Sequence, residues 1–199
     1  MHFEIHNMQP IEHLTQWLQN EHSAGAPNPQ HAVLSTANRD AVPHCRVVAI
    51  REMNDQGLLF FTQRNTKKVA EINMNPFASM TFWFELLSRE VIIEGVIEPL
   101  TEIENEQYWQ TYPREAQIRF HSYAPTSAQP IRDKQELEEK REQIRQQYTN
   151  QPVPLSPLYC GFRLKPTRFI FYAYRSDELS DVFEYAYTNN EWIAQVLSP

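Results

Sequence analysis

The chain has 199 residues, of which 41% are hydrophobic and 12% aromatic, and its formal net charge is −7. That length supports one substantial core with appended helices and falls short of two full domains. The acidic balance argues against a nucleic-acid partner held by broad phosphate neutralisation, and no apolar run reaches the length that spans a bilayer. The N-terminus, with His2, Glu4 and His6, lacks the basic and apolar regions of a signal peptide, so a cytoplasmic protein is expected. His2 and His6 are read as part of a mobile terminal segment. Cys45 and Cys160 stand far apart, outside any C-x-x-C or zinc spacing, which suits a reducing compartment and predicts no metal site.

In chain order, Ile11, Leu14, Trp17 and Leu18 recur at helical spacing behind Pro10, which predicts an amphipathic helix over 10–22. The glycine and prolines of residues 24–29 end it. From Ala32 the texture changes to short β-type runs: Ala32–Thr36, a turn at Asn38–Asp40, Val42–Arg51, a turn at Asn54–Gly57, and Leu58–Thr62. This spacing predicts an antiparallel meander. Thr66 is placed to cap a short helix through Ile72, which Asn75-Pro76 stops. Strands over 78–84 and 90–99 follow, and the apolar residues on both faces of the second predict burial on both sides.

Thr101-Glu-Ile-Glu104 is a capping box, so a helix should run to about Thr111, and Pro113 opens another through about Phe120. Residues 132–149 are dense in charge and read as a solvated helix supported by pairs such as Glu136/Lys140. Prolines 152, 154 and 157 make a stiff connector. Four β-type runs close the chain, Tyr159–Leu164, Arg168–Tyr174, Val182–Tyr187 and Trp192–Leu197, with a hairpin turn at Thr188–Asn190. One domain over 1–199 is expected, with a helical insertion at about 101–149, mainly β with flanking helices (α+β). Cys45 is expected to be a small buried strand residue.

Two strands joined by a polar turn and followed by the first turn of a helix, with cations at both ends of the unit, suggest an anion cradle. Arg46 on one strand, Thr62 at the end of the next, and Thr66, Lys67 and Lys68 at a helix N-terminus combine charge, hydroxyls and backbone N–H groups. Ordinary surface Lys and Arg beside a hairpin is the alternative.

The order and spacing of Arg46-Val-Val-Ala-Ile-Arg51, Gly57-Leu-Leu-Phe-Phe-Thr62, Thr66-Lys-Lys68, Asn75-Pro76, Phe82-Trp83 and Arg89-Glu-Val91 resemble the pyridoxamine 5′-phosphate oxidase family. Pro113-Arg114, Gly161-Phe-Arg163 and Trp192…Pro199 continue the likeness over nearly all the chain from Ala32. The resemblance implies an FMN-binding split β-barrel, homodimeric, with each FMN in a groove between subunits. It also implies that Arg46, Lys67 and Lys68 hold the FMN phosphate, with Thr66 beside them, that Val47 and Val48 run under the flavin, and that Phe61 and Thr62 stand in the family's Tyr-Thr pair.

At the ring end, Glu90 takes the position of a glutamine, Tyr172 that of a tryptophan and Val182 that of an arginine. The family's Gln-Ser pair falls nearest Ser127-Ala128 or Pro125-Thr126. The positions that would meet a substrate phosphate read Arg51, Tyr108, Tyr112 and Ala116, with Arg114 adjacent. The family's Arg-Leu-His-Asp-Arg run becomes Glu178-Leu-Ser-Asp-Val182, so Glu178 and Ser180 occupy the catalytic positions. Exchanging a cation for an anion there reverses the local field.

The resemblance therefore implies an FMN-dependent oxidoreductase acting on another small substrate, an aromatic one among the candidates. Two readings stay open beside it: a pyridoxine/pyridoxamine phosphate oxidase with Arg114 or Arg175 compensating, and a non-catalytic flavin- or ligand-binding protein.

Overall fold

The computed structural model describes residues 8–199, so His2 and His6 lie outside the described residues. Along the chain, α1 (Pro10–Ser23) precedes β1 (His31–Ala37), β2 (Pro43–Asn54), β3 (Gly57–Gln63), α2 (Lys67–Met74), β4 (Phe77–Phe84) and β5 (Arg89–Pro99). Helices α3 (Glu102–Thr111), α4 (Arg114–Tyr123) and α5 (Lys134–Gln147) follow, then β6 (Tyr159–Ala173), β7 (Asp181–Thr188) and β8 (Glu191–Leu197). The strands form one sheet in the order β3-β2-β1-β4-β5-β6-β7-β8, and a pairing of β3 with β6 closes the first six into a barrel.

Side-chain alternation builds the barrel interior. Ala32 and Leu34 of β1, Val48 and Ile50 of β2, Met80, Phe82 and Phe84 of β4, and Val91 and Ile93 of β5 are buried. Each such large side chain contributes roughly 1.5–3 kcal/mol on burial. Gly57 closes the β2–β3 turn with φ +121°, and Asn54 Oδ1 accepts the Gln56 N–H at 2.9 Å. Asn189 and Asn190, both at positive φ, make the two-residue turn between β7 and β8.

Two compact units divide the chain. One draws on the chain up to Phe60, on Glu71–Glu98 and on Phe162–Pro199; the other comprises Phe61–Ala70 and Pro99–Gly161. In the first, α1 starts with Pro10, and the Glu12 carboxylate accepts the Gln9 N–H at 3.2 Å. It buries His13, Leu14, Trp17 and Leu18, with His13 stacked on Phe171 at 4.0 Å. Glu21 accepts the N–H groups of Leu86 and Leu87 and so fixes the β4–β5 turn.

The second unit has its own core of Trp109, Ile118, Phe120, Ala124, Val153 and Tyr159. Thr101 and Glu104 form the expected capping box, which opens α3. Asp133 caps α5, which buries none of its residues, as its charge density predicts. Its ion pairs include Lys134–Glu138, Arg141–Glu138 and Arg145–Glu142, and Arg145 also reaches Glu115 of α4 at 2.7 Å.

Three expectations change. The runs at 159–164 and 168–174 are one 15-residue strand, because Pro166 occupies a strand position that keeps β6 extended. Strand β5 buries Val91, Ile93, Gly95 and Ile97, whereas Ile92 and Val96 on its other face are half-buried and Glu94 is exposed. Cys45 is exposed, its Sγ 3.2 Å from Ser35 Oγ, because odd-numbered β2 residues point out of the barrel.

Candidate functional site

Within the first unit, the even-numbered residues of β2 face inward, which turns Arg46 towards β1 and α2. Its Nη1 donates to Thr36 Oγ1 at 2.6 Å and to the Leu34 carbonyl at 3.3 Å. Its Nη2 donates to Glu71 Oε2 at 3.3 Å. Glu71 is buried, with Thr36 donating to Oε2 at 2.5 Å and His44 Nδ1 at 2.7 Å from Oε1. Burial alone would raise the Glu71 carboxyl, but the Thr36 hydrogen bond, His44 and Arg46 together hold it below the usual carboxylate range. An ionised Glu71 thus fixes the guanidinium on the inner face of the strand.

Within the second unit, Lys68 lies in the first turn of α2. Its ammonium donates to Thr62 Oγ1 at 2.9 Å and reaches Thr66 Oγ1 at 3.5 Å. Thr66 in turn donates to the Gln63 carbonyl at 2.9 Å. Gln63 Nε2 donates to the Tyr123 hydroxyl, and Ser127 Oγ donates to Gln63 Oε1. Phe61 stacks on Tyr159 at 4.8 Å and lies 5.2 Å from the Tyr108 ring. Cations bonded to neutral hydroxyls at a helix start are a donor set suited to a phosphate monoester. Lys67, Lys68, Thr62 and Thr66 therefore share one local arrangement, while Arg46 is organised by Thr36 and Glu71.

Val48 is buried and Val47 is 64% exposed on the outer face of β2. Also in the first unit, Tyr172 and Tyr174 pack ring to ring at 4.3 Å, Trp83 meets Tyr174 at 5.6 Å, and the Tyr174 hydroxyl donates to Glu90 at 3.4 Å. Burial, then the Glu90 charge, pushes the Tyr174 phenol up, so it remains a donor. Glu90 and Tyr172 thus belong to one aromatic patch. A cavity of about 420 Å³ opens on the outer barrel face beside Ser35, Ala37, Phe77, Ser79, Glu94 and Thr167.

The residues expected to meet substrate have other attachments. Arg114 donates to the carbonyls of Gln151 and Tyr148, which ties it to the C-terminal end of α5. Tyr112 packs with Trp109 and Tyr159 in the second core. Arg51 is exposed on β2. Glu178 lies 3.8 Å from Arg175, which also binds Asp181 at 2.8 Å, and Ser180 Oγ accepts the Arg175 N–H at 3.2 Å. Among the described residues, Glu178 and Ser180 thus both engage Arg175.

Glu71, His44 and Thr36 are the site residues that the sequence reading missed. Period two along β2 puts His44 on the face of Arg46, and Glu71 follows Lys68 by three residues on α2. Those spacings were the available signal.

A family model described as pyridoxamine 5′-phosphate oxidase matches residues 18–148, and one described as the pyridoxine 5′-phosphate oxidase C-terminal dimerisation region matches residues 159–199. The chain is 36% identical over 202 residues to the pyridoxine-5′-phosphate oxidase of Dictyostelium discoideum, covering 96% of this chain and 84% of that one. It is 34% identical over 191 residues to the pyridoxine/pyridoxamine 5′-phosphate oxidase of Bordetella pertussis, covering 96% and 89%. Among solved structures, PhzG from Burkholderia lata 383, in complex with tetrahydrophenazine-1-carboxylic acid, superposes with a TM-score of 0.86 at 26% identity, covering 100% and 98%. A pyridoxamine 5′-phosphate oxidase-related, FMN binding protein from Nostoc punctiforme shares the fold, with a TM-score of 0.78 at 16% identity over 97% and 100%.

Proposed function

Because the chain belongs to the pyridoxamine 5′-phosphate oxidase family, we propose that it is an FMN-dependent oxidoreductase whose substrate end serves a small, partly reduced aromatic molecule without a phosphate. Arg46, Lys67 and Lys68, with the hydroxyls of Thr62 and Thr66, hold the cofactor phosphate, and the donor chemistry of both local arrangements supports this. FMN held there would supply the two-electron oxidation of the substrate. Overall, the substrate loses two hydrogens and gains a double bond, and dioxygen leaves as hydrogen peroxide.

The observation that carries the substrate reading is the pairing of Glu178 with Arg175. Where the family resemblance implies an arginine and a histidine against the substrate ring, this chain presents a carboxylate and a hydroxyl. Arg175, the cation available to compensate, is engaged by Glu178 and Asp181. A phosphate dianion meets little net positive charge there. A substrate like the ring carboxylate bound by PhzG fits this environment better.

The working unit is a homodimer with FMN in the groove between copies. Support comes from the match of residues 159–199 to a dimerisation region and from exposed apolar residues on the outer barrel face and β8, including Val47, Phe77, Trp83 and Val196. Two free thiols support a reducing, cytoplasmic setting. The test is peroxide release by the FMN-loaded protein with pyridoxine 5′-phosphate and with tetrahydrophenazine-1-carboxylic acid. Faster turnover of the reduced ring acid is expected; faster turnover of pyridoxine 5′-phosphate overturns the substrate reading.

A further inference from the structure

Strands β4, β5 and β6 lie side by side, and their ends bring Trp83, Glu90, Tyr172 and Tyr174 together. Trp83 and Glu90 are cross-strand partners and so share a face. Tyr174 follows β6, and its backbone N–H donates to the Ser88 carbonyl in the β4–β5 turn at 3.0 Å. Its ring is held from two directions: Tyr172 packs at 4.3 Å with the planes tilted by 35°, and Trp83 meets it edge-on at 5.6 Å and 77°. Trp83 is itself fixed by donation of its indole N–H to Glu85. These contacts direct the phenol hydroxyl to Glu90 Oε2, 3.4 Å away.

That hydroxyl makes the two oxygens of the Glu90 carboxylate unequal. Oε2 accepts from Tyr174, whereas Oε1 has no hydrogen-bond partner among the described residues. A carboxylate accepts and does not donate, so the group that completes it is an N–H or O–H. Trp83 and Tyr174 are 51% and 45% exposed, so the acceptor stands beside open aromatic surface. The ligand chemistry that suits both features is a planar heteroaromatic ring with an N–H on its edge. The flavin ring has one, an imide N–H between two carbonyls. Carbonyl oxygens repel a bare carboxylate, and a hydroxyl already donated to Oε2 weakens that repulsion while leaving Oε1 as acceptor. The aromatic neighbours set this arrangement before a ligand arrives.

We propose that Tyr174 is a positioning residue that aims the free Glu90 oxygen at the ring N–H of the flavin. The inference rests on the reading of the chain as an FMN protein and adds a recognition element for the ring end, separate from Arg46 and Lys68.

The experiment is a fluorescence titration of the native protein and its variants with FMN and with 3-methyl-FMN, in which a methyl group replaces the imide hydrogen. Both ligands carry the phosphate, so their affinity ratio reports on the ring N–H position. The native protein should bind FMN about tenfold more tightly than 3-methyl-FMN, as expected of a hydrogen bond to a charged group. Tyr174→Phe keeps the ring between Tyr172 and Trp83 and lacks the hydroxyl; its ratio should be smaller by about threefold or more. Glu90→Ala removes the acceptor, should bring the ratio to about twofold or less, and covers the case of a Tyr174 variant that does not fold. Tyr174→Phe added to Glu90→Ala should then change the ratio no further. A native ratio below about threefold overturns the proposal, as does a native-like ratio in Glu90→Ala. So does a Tyr174→Phe variant that weakens both ligands equally, the result of a purely structural tyrosine. FMN binding without discrimination against 3-methyl-FMN leaves the flavoprotein reading standing, whereas no FMN binding overturns both.

Discussion

Lys68→Met isolates the cation at the start of α2 while keeping most of the side chain's length and apolar stem. In the structure the ammonium reaches Thr62 Oγ1 at 2.9 Å and Thr66 Oγ1 at 3.5 Å, so it is already oriented before any ligand arrives. A hydrogen bond to a charged group contributes about 1.5–3 kcal/mol. At about 1.4 kcal/mol per decade, the variant should lose roughly 10- to 150-fold in FMN affinity. Buried Thr62 also loses its partner. An unsatisfied hydroxyl costs about 1 kcal/mol, or about 2–4 °C in Tm for a chain of this size. Riboflavin, which has no phosphate, should bind the native protein and the variant alike. Paired fluorescence titrations with the two flavins check this. A loss of FMN affinity below about threefold, or an equal loss for riboflavin, would refute the placement of the phosphate at Lys68.

Gly95→Ala should be severely destabilising, because its Cβ would lie 2.1 Å from the Lys165 carbonyl oxygen and so force β5 from β6. A loss of about 3 kcal/mol or more in urea unfolding is expected, and a near-native midpoint would contradict the close approach. His13 is held down to about 4 by burial, and then by Arg89, against an ordinary 6.5. The unfolded chain binds that proton first as pH drops, so stability should fall by about 3 kcal/mol between those two values. His13→Phe should lack that component; parallel losses in both proteins from about pH 7 to about pH 4 would contradict it. Glu178→Arg combined with Ser180→His should raise turnover of pyridoxine 5′-phosphate by about tenfold or more, through restored charge facing the substrate. An unchanged rate in the FMN-loaded double variant would mean that these residues do not limit the reaction.

Local chemistry in the sequence identified most of the barrel. Pro10 and the apolar spacing of α1, the Thr101–Glu104 box and the Asn189-Asn190 turn each impose structure through neighbouring residues. The continuity of β6 across Pro166 was not legible, because it depends on the backbone beside it, where Gly95 leaves room for Lys165. The exposure of Cys45 required the register of β2 on β1, which fixes which alternate residues face the barrel. At the site, Arg46 stood out as a cation on a strand and Lys68 as one at a helix start. Glu71 did not, since a helical glutamate reads as solvated surface until packing buries it against Thr36, His44 and Arg46. The engagement of Arg114 by α5 carbonyls was equally hidden, because the two segments are far apart in sequence.

In the proposed function, this chain holds FMN through its phosphate. That claim is tested most directly by titrating the purified protein with FMN and riboflavin side by side, following flavin absorbance and fluorescence. Binding of FMN at least about tenfold tighter than riboflavin is the predicted result, equivalent to about 1.4 kcal/mol or more from the phosphate end. No FMN binding, or equal affinity for the two flavins, would contradict it.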